Sequence, residues 1–254
     1  MEFAALNKVS LVVTTFNEEA SIEKCLSSAE GVGEIVLVDS FSTDKTVEIV
    51  ERLGARIFRR EYRSAADQKN WAIDRANGEW ILILDGDEAL SPELKREITD
   101  VLREPKVNGY WLKRRSEFLG KKIKHCGWGN DKVLRLFKKG SGRYRAREIH
   151  EKLGLNGKAM VLEGYIYHRP YKDLGSYMEK LRSYSYRGAK QRLKEGKGWF
   201  PQIIFNPFFR FVRTYILQLG FLDGMHGFVL CVLASFSVFM KYAALMELKL
   251  GIKK

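Results

Sequence analysis

Asp85 and Asp87 stand one residue apart, with Gly86 between them, directly after the apolar run Trp80-Ile81-Leu82-Ile83-Leu84. Two carboxylates so placed at the end of a buried strand can both reach a hard divalent cation, which takes oxygen ligands and commonly binds substrate phosphates as well. Alone, the pair is equally compatible with a plainer role, because Asp87 and Glu88 also suit the dipole of a following helix. Two further apolar runs end in polar groups. Val9 to Thr14 leads into Thr15 and Asn17, and Glu34 to Val38 leads into Asp39.

These groups meet only if their runs are neighbours in one sheet, and the intervening chain argues that they are. Glu18 to Ala29 reads as a helix, with Ile22, Cys25, Leu26 and Ala29 at helical spacing. Asp44 to Leu53, stopped by Gly54, reads as a second, and Ala65 to Ala76, closed by Asn77-Gly78, as a third. Arg56-Ile57-Phe58 is a short strand between the last two, and Ser91-Pro92 opens another helix with an N-cap and a first-turn proline. Strands alternating with helices predict βαβ units and a largely parallel sheet. Ligands in such sheets bind beyond the carboxyl ends of the strands, where Thr15, Asn17, Asp39, Asp85 and Asp87 fall.

After Gly109 the pattern changes. Tyr110 to Arg114, Lys132 to Phe137 and Ala159 to His168 read as strands, and Leu174 to Leu193 as a helix rich in charge and aromatics. The expected organisation is a domain over 1–170, divided into 1–108 and 109–170, followed by a helical extension over 171–254. The chain has 254 residues and a formal charge of +13. Residues 1–110 carry a net −7 and the remainder +20. A basic, aromatic-rich second half points to an anionic partner, a membrane surface or a nucleic acid. Composition excludes a disordered or collagen-like chain, and three scattered cysteines exclude a disulfide framework. Gly31-Val32-Gly33 precedes its strand and lacks a third glycine, so no dinucleotide fingerprint is present. No Gly-Lys-Ser/Thr phosphate loop and no zinc-spaced histidine pair occurs either.

Four stretches in order resemble the family 2 inverting glycosyltransferases of the GT-A fold. They are Thr14-Thr15-Phe16-Asn17-Glu18-Glu19, Val38-Asp39-Ser40-Phe41-Ser42-Thr43-Asp44, Gln68-Lys69-Asn70-Trp71-Ala72 and Leu84-Asp85-Gly86-Asp87-Glu88. Asp131 to Phe137, Glu148-Ile149-His150-Glu151 and Phe221-Leu222-Asp223-Gly224 are similar to the subgroup that contains lipopolysaccharide-core β-1,4-glucosyltransferases. The resemblance implies a Rossmann-like α/β domain, with a mostly parallel sheet and helices on both faces, plus an apolar, membrane-associating extension. It implies transfer of a sugar, glucose by this similarity, from a UDP-sugar to a hydroxyl of a lipid-linked saccharide.

On that resemblance Thr15, Asn17, Glu19, Asp39, Lys69 and Asp85 bind the nucleotide-sugar, and Asp39 meets the base. Asp85, Asp87 and His150 hold Mg²⁺ or Mn²⁺, with Asp87 the more direct ligand; a satisfied structural histidine is the plainer reading of His150. Inverting transfer also needs a base for the acceptor hydroxyl. Asp131, at the end of Gly127-Trp128-Gly129-Asn130, and Glu151 are the two candidates, with Asp131 favoured. Either could instead pair with a neighbouring basic residue.

From Trp199 to Phe221 aromatic and aliphatic residues are interleaved with Arg210 and Arg213, and Gly227 to Met240 is almost wholly apolar. The uncharged part is short for a spanning helix, and a helix lying in the membrane interface fits better; a packed helical pair or a dimer seam is the alternative. The expected location is the cytoplasm, peripherally on the inner face of the cell membrane, with no nucleic-acid partner and with room for a homo-oligomer. Two other readings stay open: transfer to polyprenyl phosphate, whose nucleophile needs no strong base, and a basic protein stacking single-stranded nucleic acid on its tyrosines and tryptophans.

Overall fold

The computed structural model describes residues 4–145 and 152–251. In chain order the elements are β1 (Val9–Thr15), α1 (Ile22–Ser28), β2 (Glu34–Asp39), α2 (Thr46–Arg52), β3 (Arg56–Arg59), α3 (Ala65–Ile73), β4 (Trp80–Asp85), β5 (Glu88–Leu90) and α4 (Pro92–Arg103). Then follow β6 (Gly109–Phe118), β7 (Lys121–Lys122), β8 (Lys132–Lys138), β9 (Gly142–Arg145), β10 (Lys152–Leu155), β11 (Ala159–His168), α5 (Leu174–Lys194), α6 (Gln202–Phe211) and α7 (Gly224–Lys249). They form two units, residues 1–114 with 131–168 and residues 115–130 with 169–254.

The main sheet of the first unit runs β3-β2-β1-β4-β8-β6-β11-β5. β1 pairs in parallel with both β2 and β4, and β2 with β3. Strand order therefore reverses about β1, and the crevice beyond the carboxyl ends of β1 and β4 is the expected place for a ligand. The register sets Thr15 beside Asp39 and Thr14 beside Asp85. Beyond β4 the parallel pattern gives way. β8 lies antiparallel to β4, β6 to β8, and β5 to β11. No crossover helix separates β6 from β8, so the chain has no means of returning in parallel.

Both faces of the sheet are covered, which is why its first strands are apolar without alternation. Val9, Leu11 and Val13 of β1 join Leu26 of α1 and Leu94 and Ile98 of α4 on one face. Val12 joins Val36, Val38 and Ala66, Ala72 and Ile73 of α3 on the other. Burial of each large side chain here contributes about 1.5–3 kcal/mol. At Gly164 of β11 a Cβ would stand 2.5 Å from the Leu94 Cα, so only glycine lets α4 lie directly on the strand. Ser91 caps α4, its hydroxyl accepting from the Leu94 N–H at 3.1 Å.

The second unit is built on α5 and α7. Tyr177 and Leu181 pack with Leu230 and Cys231, and Ala189 packs with Tyr242 and Leu245, so the two helices run in the same direction. A capping box between Asp173 and Ser176 starts α5. Residues 115–130 were expected with the preceding strands; the carboxylate of Asp223 instead accepts from the backbone N–H groups of Lys124 (3.2 Å) and His125 (2.8 Å). Gly227 sits so close to Gly220 that a Cβ would meet its carbonyl oxygen at 2.0 Å. α7 also runs through Lys241, whose ammonium lies 4.9 Å from the Tyr242 ring centroid. Gly220 to Lys249 is consequently long and apolar enough to cross a membrane, although its uncharged part alone is shorter. Phe200 just before α6, and Ile204, Phe205, Phe208 and Phe209 on it, are exposed, each by 53% or more, as is Leu217 in the π-helical turn that follows.

Candidate active site

The carboxyl ends of β1, β2 and β4 bring the expected polar groups to one rim, each held differently. Asp39 is fully buried, and its two oxygens accept from the Ser42 backbone N–H (2.8 Å) and hydroxyl (2.5 Å). Asn17, in the left-handed region at φ 56°, accepts at Oδ1 from the Thr43 N–H at 2.8 Å. Glu19 accepts from the Lys45 N–H at 3.1 Å. Asn17 and Glu19 thus tie the loop after β1 to the loop after β2. Thr15 Oγ1 is buried without a hydrogen-bond partner among the described residues. A Cβ on Gly86 would come within 3.1 Å of that same hydroxyl, so glycine keeps open the floor between Asp85 and Asp87.

Asp85 anchors a line of alternating charges. One of its oxygens meets Lys69 Nζ at 2.8 Å, and the other meets Arg135 at 2.5 Å. Arg135 also reaches Glu88 at 3.5 Å, Glu88 reaches Arg114 at 3.2 Å, and Arg114 reaches Asp131 at 2.6 Å. Lys69, Arg135 and Glu88 are all buried, so their charges are compensated by one another and not by solvent. The sheet explains the convergence. Arg135 shares a face of β8 with Phe137, and α3, which carries Lys69, covers that face. Beside this line, Asp87 Oδ2 lies 3.6 Å from Nε2 of His168, the last residue of β11, with both side chains largely buried.

Comparison with known proteins bears on what such a rim does. Residues 10–161 match the family described as Glycosyl transferase family 2, more than half of the chain. The chain belongs to glycosyl transferase family 2. It is 28% identical to an uncharacterized glycosyltransferase of Rickettsia typhi, over 96% of this chain and 89% of that protein. It is also 28% identical to the lipopolysaccharide core biosynthesis glycosyltransferase LpsC of Rhizobium meliloti, over 92% of this chain and 93% of that protein. Among solved structures, a mannosyltransferase of Pyrobaculum calidifontis in complex with GDP-Man and Mn²⁺ is 18% identical over 97% of this chain and 76% of that chain, with a TM-score of 0.49.

In this family 2 glycosyltransferase the motif around Lys69 points its side chains four ways. Gln68 donates to the Ser40 hydroxyl at 3.1 Å, Lys69 pairs with Asp85, and Asn70 exchanges two 2.9 Å hydrogen bonds with the Tyr144 backbone. Trp71 carries the Arg75 guanidinium 3.3 Å from its ring centroid. Lys69, expected to bind the nucleotide-sugar, lies on the Asp85 carboxylate at this rim. Arg135, Arg114 and Glu88 were given no part in the site, and His168 was read as structural. A basic residue inside the apolar strand Val133 to Phe137 was the available signal for Arg135; nothing in the sequence distinguished His168. His150 and Glu151 lie outside the described residues.

A divalent cation fits part of this donor set. Each Asp85 oxygen is held by one cation, so ligation by Asp85 would have to use the lone pairs that Lys69 and Arg135 leave over. Asp87 and His168 offer an oxygen and a nitrogen side by side, and Mg²⁺ typically takes few protein ligands, the rest coming from phosphates and water. Among the described residues no three His, Cys, Asp or Glu side chains form a closed metal cage.

Burial by itself would raise the Asp85 carboxyl, but Arg135 and then Lys69 hold it far below the usual carboxylate range. A depressed folded pKa contributes stability that is complete above the unfolded value near 4 and is lost as pH falls below it. Urea midpoints should therefore drop on acidification from pH 4 to pH 2, and Asp85→Asn, already destabilised at pH 7, should drop less over that interval. An equal fall in both proteins would remove Asp85 from the acid response.

Proposed function

We propose that this enzyme moves a sugar, glucose in the first instance, from a UDP-sugar to a hydroxyl of a membrane glycolipid such as a lipopolysaccharide core, with inversion and with a divalent cation. The observation that carries the reading is the unbroken line of charge from Lys69 through Asp85, Arg135, Glu88 and Arg114 to Asp131, with Asp87 and His168 at its side. The acceptor class draws on the similarity to LpsC, whose name places it in lipopolysaccharide core biosynthesis.

Each residue has a task in this reading. Asp39 and Thr15 bind the nucleoside; Asp39 is fully buried with both oxygens on Ser42, so it meets the base only once the loop that carries Ser42 moves aside. Asn17 and Glu19 hold the two rim loops around it. Asp87 and His168 hold Mg²⁺ or Mn²⁺, which when bound offsets charge developing on the departing nucleoside diphosphate. Asp131 accepts the proton of the attacking hydroxyl, its carboxylate oriented by Arg114, which contacts one oxygen through two nitrogens at 2.6 and 2.7 Å. His150 and Glu151 would add a metal ligand and a further acid.

The reading places the enzyme peripherally on the inner face of the cell membrane, held by the apolar face of α6 with Arg210 and Arg213 beside it. Ile204, Phe205, Phe208 and Phe209 share one side of that helix. Basic residues flanking an exposed aromatic face suit an anionic bilayer surface. Replacing Phe205, Phe208 and Phe209 together by Ser should weaken vesicle partitioning on the order of a hundredfold, since each ring withdraws roughly 1 kcal/mol or more of apolar surface from water. Unchanged flotation with liposomes would remove α6 from the contact. The donor assignment is tested by a panel of nucleotide-sugars scored for cation-dependent hydrolysis. UDP-glucose should be turned over, and a preference for a donor with another base would overturn it.

A further inference from the structure

In the second unit, α5 and α7 enclose a groove of 1320 Å³, larger than most small-molecule sites. Two stripes at four-residue spacing line it. Along α5 run Met178, Arg182, Tyr186 and Lys190, with Arg187 adjoining, and along α7 run Phe236, Met240 and Leu248. Between Met240 and Leu248 the four-residue stripe passes through Ala244, whose small side chain is buried against α5. The helices are clamped together on either side of it. The Ser185 hydroxyl donates to the Ser237 carbonyl at 3.2 Å, and the Tyr186 hydroxyl donates to the Glu247 carboxylate.

Polarity is divided between the two walls. Arg182, Arg187 and Lys190 are exposed along α5, against the one acid of the lining, Glu179. The Arg187 guanidinium is steadied by the Ser183 hydroxyl at 3.1 Å and by the Tyr184 ring at 5.5 Å. The α7 wall offers only hydrocarbon, a phenyl ring and a thioether, and Phe236 keeps 38% of its surface exposed. A cationic wall facing an apolar one is complementary to a molecule that carries an anionic headgroup and a hydrocarbon chain together. A free phosphate would leave the apolar wall wet, and a neutral apolar ligand would make no use of the three cations.

We propose that this groove binds one molecule of a phosphate-bearing lipid, its headgroup on Arg182, Arg187 and Lys190 and its acyl chain along Phe236, Met240 and Leu248. The site is separate from the insertion of α6 into a bilayer and from the charged line that ends on Asp131. It makes no use of the transfer reaction, so it stands or falls without it.

The test is calorimetry with dihexanoyl-phosphatidylglycerol kept below its micelle concentration, with the zwitterionic dihexanoyl-phosphatidylcholine as comparison. The full chain should bind one molecule of the anionic lipid and bind the zwitterionic lipid at least tenfold more weakly. Arg182→Ala, Arg187→Ala and Lys190→Ala combined should lower affinity on the order of a hundredfold, each basic group near an anionic lipid contributing a factor of about five. The same number of exposed cations removed elsewhere (Arg96, Arg103 and Lys106 to Ala) should change nothing. Phe236→Glu, at an exposed position, should abolish binding with all three cations in place, and circular dichroism should show every variant folded. Equal affinity for both lipids, an unaffected triple variant, or an equal loss in the control triple would each overturn the proposal. So would sedimentation showing a dimer that Phe236→Glu dissociates, which would give the groove to a second copy of the chain.

Discussion

Asp87→Ala is expected to lower cation-dependent sugar transfer on the order of a thousandfold or more while leaving the unfolding midpoint nearly unchanged. The size follows from the work assigned to the cation, several kcal/mol of stabilisation for charge building on a leaving diphosphate. The selectivity follows from where the residue sits. Asp87 faces His168 at 3.6 Å, while the line from Lys69 to Asp131 is held through Asp85, Arg135, Glu88 and Arg114. Removing it deprives a cation of its carboxylate and leaves the Asp85, Arg135 and Glu88 contacts as they were. His168→Ala should reduce transfer in the same direction by a smaller factor and raise the cation concentration needed for half-maximal rate. Steady-state rates across a manganese titration, together with thermal melts, check both variants. Near-normal turnover by Asp87→Ala would refute the assignment.

Arg135→Met is expected to behave in the opposite manner, with its largest effect on stability. Arg135 is 5% exposed and meets two carboxylates, Asp85 at 2.5 Å and Glu88 at 3.5 Å. Its loss leaves Arg114 as the one remaining cation of the line on Glu88, which is fully buried and cannot be hydrated, and Lys69 as the one on Asp85. Breaking a buried pair from one side typically costs about 3–5 kcal/mol. Urea denaturation at pH 7 should show a loss of that order, and the loss should shrink as pH falls below the usual carboxylate range and the acids take up protons. Arg135→Lys should recover only part, because an ammonium cannot span both acids as the guanidinium fork does. A full-strength Arg135→Met protein would mean that the network is not what holds β4, β5 and β8 together at this rim.

The parallel half of the sheet was legible because each of its strands is a short apolar run closed by a polar residue, and each connection is a helix with an apolar stripe. The rim was legible for the same reason: Thr15, Asn17, Asp39, Asp85 and Asp87 are the residues on which those runs end. What could not be read was pairing at a distance. Arg135 and His168 reach Asp85 and Asp87 only because β8 and β11 join the sheet antiparallel, and no local periodicity reports which strand lies beside which. Lys69 illustrates the same limit. Its residue type suited a phosphate, and its pairing with Asp85 shows only once α3 is set against the end of β4. What holds the loop around Lys124 and His125 could not be read either, because its anchor, Asp223, lies about a hundred residues further along the chain. For α7 a spanning length could be read only by taking in His226 and Lys241, and the helix does run through Lys241, beside the Tyr242 ring.

The most direct measurement is a calorimetric titration of the folded protein with UDP, once with Mn²⁺ and once with EDTA. The account predicts saturable one-to-one binding with the cation, a large loss of affinity when it is chelated, and the same loss in Asp87→Ala with the cation present. Flat traces under both conditions, or equal affinity with and without the cation, would contradict it.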